Sequence, residues 1–406
     1  MSSLIVTGGK RLSGEISVSG SKNAALPLIF STIAINGVST VSGVPDISDV
    51  RVALDILKEF GADITACGKT LVIDTRNLKY CEPSCELVGK IRASTYLLGA
   101  TLARFSKAKI YNFGGCNFCD RPIDMHLSAI EAFGGKISDE SIYAKRLVGC
   151  DIFFEKASVG ATINALIMAS AAEGVTRIFG YAREPHVMAL VKFLRSAGVR
   201  ISARRACLEI YGKKTFSAKT KLIPDMIEAG TYVALSLLTD SNLHIKGVDM
   251  GHIAALTAVF SDSGARFKID ENAIIPYGKI QKPINIVTAP YPGFPTDLQP
   301  VTAPLLAAFE GGEIKECVWK NRFGYLSELG KLGLIYEIND STAVISKSNL
   351  KSGVTVAPDL RGGAALLLAS LYADGKSEIK NAELIFRGYE KLDEKLRNIG
   401  VEIERN

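Results

Sequence analysis

Apolar residues in this chain gather in six long blocks, each opening on small or polar residues. The openings are Lys22-Asn23-Ala24-Ala25-Leu26-Pro27, Arg92-Ala93-Ser94-Thr95, Ser158-Val159-Gly160-Ala161-Thr162, Glu228-Ala229-Gly230-Thr231, Pro295-Thr296-Asp297-Leu298 and Leu360-Arg361-Gly362-Gly363-Ala364. Behind each opening the residues are apolar nearly all round, as in Thr162 to Ala172, which predicts helices buried on every face. After each block come a short β-rich piece, a loop, a second helix, a glycine and a strand. The closing glycines are Gly61, Gly134, Gly198, Gly264, Gly333 and Gly400, at spacings of 73, 64, 66, 69 and 67 residues. Each stands where a helix end needs a left-handed residue.

Six such units fit one long solenoid or two three-fold domains. They are longer than common solenoid repeats, and a chain of 406 residues exceeds one ordinary core. The expectation is an α/β protein of two domains, each of three βαβ-type repeats with buried central helices. The helix starts offer unpaired N–H groups and positive dipole ends, which suit anions if they converge. Ordinary capping by Ser, Thr and Asp is the competing use of the same groups. Lys22, Arg92 and Arg361 near three of the starts favour the anion site.

Composition adds limits. Hydrophobic residues make up 47% and charged residues 22%, a globular balance, and the net charge of +6 is not concentrated in any dense Lys/Arg run. No nucleic-acid or membrane partner is therefore expected, whereas a basic cleft for anionic substrates is. The first residues lack the pattern of a signal peptide and no apolar stretch has the length of a membrane span, so a cytoplasmic location is expected. Eight cysteines read as free thiols. Cys116-x-x-Cys119 lacks the second ligand pair that zinc requires, so no metal is expected.

At Ser19 to Pro27 the chain resembles the UDP-N-acetylglucosamine enolpyruvyl transferase family. The likeness continues in order through Lys90-Ile91-Arg92-Ala93-Ser94, Gly114-Gly115-Cys116 with Arg121-Pro122-Ile123-Asp124, Ser158 to Thr162 and Arg183-Glu184-Pro185. It then runs through Tyr291 to Asp297, Asn321-Arg322-Phe323, Asp359-Leu360-Arg361 and Arg387-Gly388-Tyr389-Glu390. The family fold implies two inside-out α/β barrels, residues 22–223 and residues 1–21 with 224–406, and an active site in the cleft between them. The implied reaction moves the enolpyruvyl group of phosphoenolpyruvate to the 3′-hydroxyl of UDP-N-acetylglucosamine and releases phosphate, the first committed step of peptidoglycan precursor synthesis. No organic cofactor is implied, and the likeness says nothing of oligomeric state.

Addition followed by elimination needs a proton donor, a base for the hydroxyl, and cations for phosphate and carboxylate. By resemblance Cys116 is the proton donor, can carry phosphoenolpyruvate covalently, and is the target of the epoxide fosfomycin. Its Gly-rich loop suits a lid, and Arg121 nearby favours thiolate character. Asp297 faces the acceptor hydroxyl as candidate base, although a carboxylate at a helix start is otherwise a weakly basic cap. Lys22, Arg121 and Arg387 match the phosphoenolpyruvate ligands, with Lys22 and Arg387 counted among the catalytic residues. The substrate-binding positions implied are Lys22, Asn23, Arg92, Arg121, Pro122, Ile123, Asp124, Met125, Lys156, Ala157, Ser158, Val159, Asp297, Val318, Arg361 and Arg387, of which Asn23, Arg92, residues 121–125 and 156–159, Asp297 and Val318 serve the acceptor. Lys156 and Ser158, at a helix start, suit the diphosphate. His126 reads as a structural helix residue.

Several positions leave the family pattern. Leu384-Ile385-Phe386 stands for a His-x-Asp, Gly324-Tyr325 for Met-His, His186 for an acidic residue and Trp319 for Phe. Cys119 stands where small residues are usual, and a reversible Cys116–Cys119 disulfide would silence the enzyme on oxidation. The departures leave open a paralogue acting on another nucleotide acceptor, and a non-catalytic nucleotide-sugar-binding protein.

Overall fold

The computed structural model describes residues 2–114, 122–204, 206–213 and 215–406. It separates into two compact units, one of residues 20–114 and 122–223, the other of residues 2–19 and 224–406. Strand pairing explains why the first residues belong with the last. Strand Ser3–Gly8 runs antiparallel between Gly375–Lys380 and Glu402–Arg405, and Glu15–Ser17 runs parallel to His244–Lys246. In the first unit the late strand Ser217–Lys221 pairs in parallel with the early Val38–Ser42. At the chain's passage into that unit, a side chain on Gly20 would meet the Gly43 carbonyl at 1.9 Å, so glycine is required there.

Each unit repeats one design. In residues 224–406 the central helices are Met226–Leu238, Gln299–Ala308 and Leu360–Tyr372. The first unit's are Lys22–Ser31, Leu97–Phe105 and Val159–Ala171. Every residue from Leu360 to Leu371 is buried, as is every residue from Ala161 to Ser170, so these helices have no solvent face. Three sheets surround each set. The sheet with order Ile284–Val287, Gly312–Lys315, Thr342–Ser346, Ile335–Asn339 is typical, with one parallel pair and two antiparallel ones. Ala343 and Ile345 alternate inward from its third strand.

The second helices are amphipathic. Ser48–Glu59 buries Asp49, Val50, Ala53, Ile56 and Leu57, a one-sided stripe. The closing glycines all take left-handed backbone, with φ of 88° at Gly61, 90° at Gly134, 95° at Gly198, 114° at Gly264, 91° at Gly333 and 95° at Gly400. At Gly333 a side chain would also lie 2.8 Å from the Asn349 carbonyl. The mixed α/β class, the buried central helices and the repeat itself are as the sequence led one to expect.

Candidate active site

In the unit of residues 224–406, Asp297 lies just before the helix Gln299–Ala308. The N-cap of that helix is Leu298, with no side-chain bond, so the Asp297 carboxylate does not serve as its cap. Its carboxylate is held instead by two arginines. Arg322 Nη2 donates to Oδ1 at 2.6 Å, and Arg361 donates to Oδ2 from Nε at 3.3 Å with Nη2 at 3.2 Å. Both guanidinium groups are buried, and 29% of the Asp297 side chain stays exposed. Burial alone would push Arg361 down; Asp297 and the Tyr389 hydroxyl reverse this and raise it above its ordinary value. The Arg361 guanidinium also lies 5.7 Å from the Tyr389 ring centre.

Arg322 is steadied from behind. Its Nη1 donates to the Thr296 hydroxyl at 2.9 Å, and its carbonyl accepts from Gln299 Nε2 at 3.0 Å. Tyr325, a departure from the family pattern, donates its hydroxyl to Gln299 Oε1 at 2.6 Å and is completely buried. Val318 and Trp319 are half-buried, and both backbone N–H groups reach Glu316 Oε1, at 2.8 and 3.1 Å. Arg387 ends the short helix Ala382–Arg387 and is half-buried. Phe386 packs on the core with the Arg405 guanidinium 4.0 Å from its ring centre.

In the unit of residues 20–223, Lys22 opens a central helix whose cap, the Ser21 hydroxyl, accepts from Ala24 N. Its side chain is 12% exposed and its ammonium lies 3.2 Å from the buried Asp49 carboxylate. For a largely enclosed cation, a carboxylate partner offsets part of the cost of lost hydration. Asn23 follows, half-buried. Arg92 begins the short helix Arg92–Tyr96 and reaches the Phe113 carbonyl at 3.5 Å. Pro122 and Ile123 lead into the helix Asp124–Ala132; Pro122 and Asp124 are exposed, Ile123 and Met125 half-buried. Lys156 and Ala157 are exposed before Ser158, whose hydroxyl accepts from Ala161 N at the start of Val159–Ala171.

His126 is structural, as its helical position suggested. It is 6% exposed, and its Nδ1 lies 2.8 Å from Asn164 Nδ2, a donor that also binds the Thr95 carbonyl at 3.0 Å. Burial pushes its pKa down to about 4, helped by Arg92 and opposed by Asp124.

At two of the six helix starts, N–H groups are taken up by capping carboxylates. Asp225 accepts from Ile227 and Glu228 N–H groups, and Asp359 accepts from those of Arg361 and Gly362. Capping carboxylates therefore occupy two of the three starts in the second unit. Cys116, Cys119 and Arg121 lie outside the described residues. Among the described residues no group of three His, Cys, Asp or Glu is placed to hold a metal. Among the described residues no helix is long and apolar enough to cross a membrane. Sequence reasoning missed Asp49, Glu316 and Gln299, whose roles arise only from tertiary contacts; Arg322 was visible only as part of a motif.

Comparison with known proteins bears on the whole chain. The EPSP synthase (3-phosphoshikimate 1-carboxyvinyltransferase) family pattern matches residues 6–396. UDP-N-acetylglucosamine 1-carboxyvinyltransferase of Prosthecochloris aestuarii is 40% identical, covering 100% of this chain and 98% of the relative. The corresponding protein of Campylobacter hominis is 38% identical, covering 100% and 99%. Among solved structures, the enolpyruvyl transferase NikO from Streptomyces tendae matches with a TM-score of 0.90 at 27% identity, covering 100% of this chain and 99% of that one. EPSP synthase from Acinetobacter baumannii matches with a TM-score of 0.73 at 17% identity over 100% of both chains, a likeness of fold.

Proposed function

This chain belongs to the EPSP synthase family of carboxyvinyl transferases, and on that premise we propose that it transfers the enolpyruvyl group of phosphoenolpyruvate to the 3′-hydroxyl of UDP-N-acetylglucosamine. Phosphate is released, and the product enters peptidoglycan synthesis. Full-length relatives at 38–40% identity carry this activity in their names. The structural observation that carries the reading is Asp297, a partly exposed carboxylate fixed by two buried arginines at a central helix start. The cytoplasm, where nucleotide sugars are handled, is the location that fits this substrate.

In this reading the acceptor oxygen bonds to C2 of phosphoenolpyruvate while a proton is delivered to C3, giving a tetrahedral intermediate. Loss of the C2–O bond to phosphate and of a C3 proton restores the double bond. Asp297 orients the acceptor hydroxyl and receives its proton. The arginines keep the carboxylate in place, which lowers the reorganisation needed in the transition state. Lys22 and Arg387 take phosphoenolpyruvate together with Arg121, Lys as a point charge and Arg through paired hydrogen bonds. Cys116 delivers the proton to C3. The half-exposed start of Val159–Ala171, with Lys156 and Ser158, takes the diphosphate; Arg92, Asn23 and residues 122–125 take the rest of the nucleotide.

A second reading, another nucleotide acceptor, draws on Trp319 and His186, which depart from the family pattern. Phosphate release is measured with phosphoenolpyruvate and UDP-N-acetylglucosamine, with other uridine nucleotides in parallel. Release with UDP-N-acetylglucosamine supports the first reading, release only with another nucleotide selects the second, and none with any acceptor rejects both. Fosfomycin added with saturating acceptor should give a mass adduct on Cys116, and an intact mass would remove that thiol from the mechanism.

A further inference from the structure

Glu316 is buried, 4% exposed, at the end of the strand Gly312–Lys315. No step above uses it. Its carboxylate nonetheless faces four donors. Oε1 accepts from the Thr288 hydroxyl at 2.7 Å, Val318 N–H at 2.8 Å and Trp319 N–H at 3.1 Å; Oε2 accepts from the Thr296 hydroxyl at 2.8 Å. Three donors share Oε1 and one takes Oε2, so both carboxylate oxygens are engaged.

The proton directions around it are fixed by chemistry. Arg322 can only donate, so at Thr296 the hydroxyl oxygen accepts from Arg322 Nη1 and the hydroxyl proton turns to Glu316. Thr288 is arranged in the same way, accepting from Cys317 N–H at 2.9 Å and donating to Glu316. An unbroken path therefore leads from the backbone of residues 318 and 319 through Glu316 and Thr296 to Arg322, and from Arg322 Nη2 to Asp297 Oδ1 at 2.6 Å. One end is the wall that carries Val318, a position read as lining the acceptor. The other is the carboxylate read as handling the acceptor's proton.

We propose that Glu316 and Thr296 are positioning residues for the transfer reaction, joining the Val318–Trp319 wall to Asp297 so that the acceptor and its base are held in one frame. This rests on the function proposed above. The role is a matter of geometry, since neither side chain needs to touch substrate. Displacing a base by a fraction of an ångström slows a proton transfer without weakening the binding of the group it serves.

Glu316→Gln separates the two ends of the path. The amide oxygen keeps the Thr288, Val318 and Trp319 bonds, while the amide N–H₂ faces Thr296, which then meets two donors and must turn its own proton away. Thr296→Val removes the same link with little change of shape, and Thr296→Ser keeps the hydroxyl. Steady-state kinetics with phosphoenolpyruvate and UDP-N-acetylglucosamine are measured for all three beside the wild type, with thermal unfolding as a control for folding. The expected result is a kcat lower by on the order of 10- to 100-fold in Glu316→Gln and Thr296→Val, an acceptor KM within about threefold of wild type, and near-complete recovery in Thr296→Ser. A folded Thr296→Val with unchanged kcat overturns the proposal, as does a loss carried by acceptor KM alone. A wild type that releases no phosphate overturns the functional reading, and the proposal with it. Should Glu316→Gln fail to fold, the Thr296 pair decides the matter alone.

Discussion

Arg322 and Arg361 meet on opposite oxygens of Asp297, Arg322 Nη2 at 2.6 Å from Oδ1 and Arg361 Nη2 at 3.2 Å from Oδ2. Each arginine side chain is 5% exposed, so in the interior the Asp297 carboxylate is a close counter-charge for both. Replacing Asp297 by Asn keeps the shape and removes the charge. Turnover should fall by about 10²- to 10⁴-fold, the range for loss of a general base, while calorimetric binding of the acceptor persists. Stability should fall by about 3 kcal/mol in denaturant titration, because two buried guanidiniums lose their counter-charge. An Asn variant with full turnover would remove Asp297 from proton handling.

Acid should loosen the unit of residues 20–223 through His126. Its pKa is depressed by burial to about 4, below the 6.5 of an exposed imidazole. Below that exposed value the unfolded chain binds the extra proton, so the stability held at neutral pH is lost as pH falls from about 6.5 toward 4. Between pH 7 and 5 the loss is about 2 kcal/mol. Chemical unfolding at the two pH values checks this against His126→Gln, which should lose correspondingly less.

A second buried charge cluster tests the other unit. Lys395 and Glu228 form an ion pair at 2.5 Å with Glu228 nearly wholly enclosed, and Glu228 also accepts from Ser19 N–H and the Tyr232 hydroxyl. Burial pushes the Glu228 carboxyl up, while Lys395 opposes it. Lys395→Met should cost about 3–5 kcal/mol in urea unfolding, and adding Glu228→Gln should restore part of it. Equal stability of the two variants would mean that the pair is not coupled.

Tyr325 offers a smaller effect. Tyr325→Phe deletes one hydroxyl and leaves the buried Gln299 Oε1 without that donor. A loss of about 1–2 kcal/mol is expected from thermal unfolding. Because Gln299 also holds the Arg322 carbonyl, a modest fall in kcat should accompany it.

Repeat and fold were legible because both come from local rules. Gly61, Gly134, Gly198, Gly264, Gly333 and Gly400 stand after helices, and left-handed backbone is what such positions demand. Blocks such as Ala161 to Ser170 allow no solvent face, so central helices followed directly. The site was legible only where short motifs carry it. Asp297 stood out in its motif, but its arginine clamp did not, because Arg322 and Arg361 reach it from distant segments. Asp225 and Asp359 could have been identified as caps from their type and place. Glu316 gave no signal, since a glutamate at a strand end is ordinarily solvated. Tyr325 and Phe386, departures in sequence, are in the structure packed into the core or against it.

The identity of the product decides whether this chain transfers an enolpyruvyl group. The wild-type protein is incubated with phosphoenolpyruvate and UDP-N-acetylglucosamine, and the nucleotide is analysed by mass spectrometry and proton NMR. The expected product is a nucleotide heavier by one carboxyvinyl group, with two vinyl protons and the ether link at the 3′-oxygen, formed in step with phosphate. An unmodified UDP-N-acetylglucosamine after prolonged incubation with active-site-intact protein would contradict that transfer.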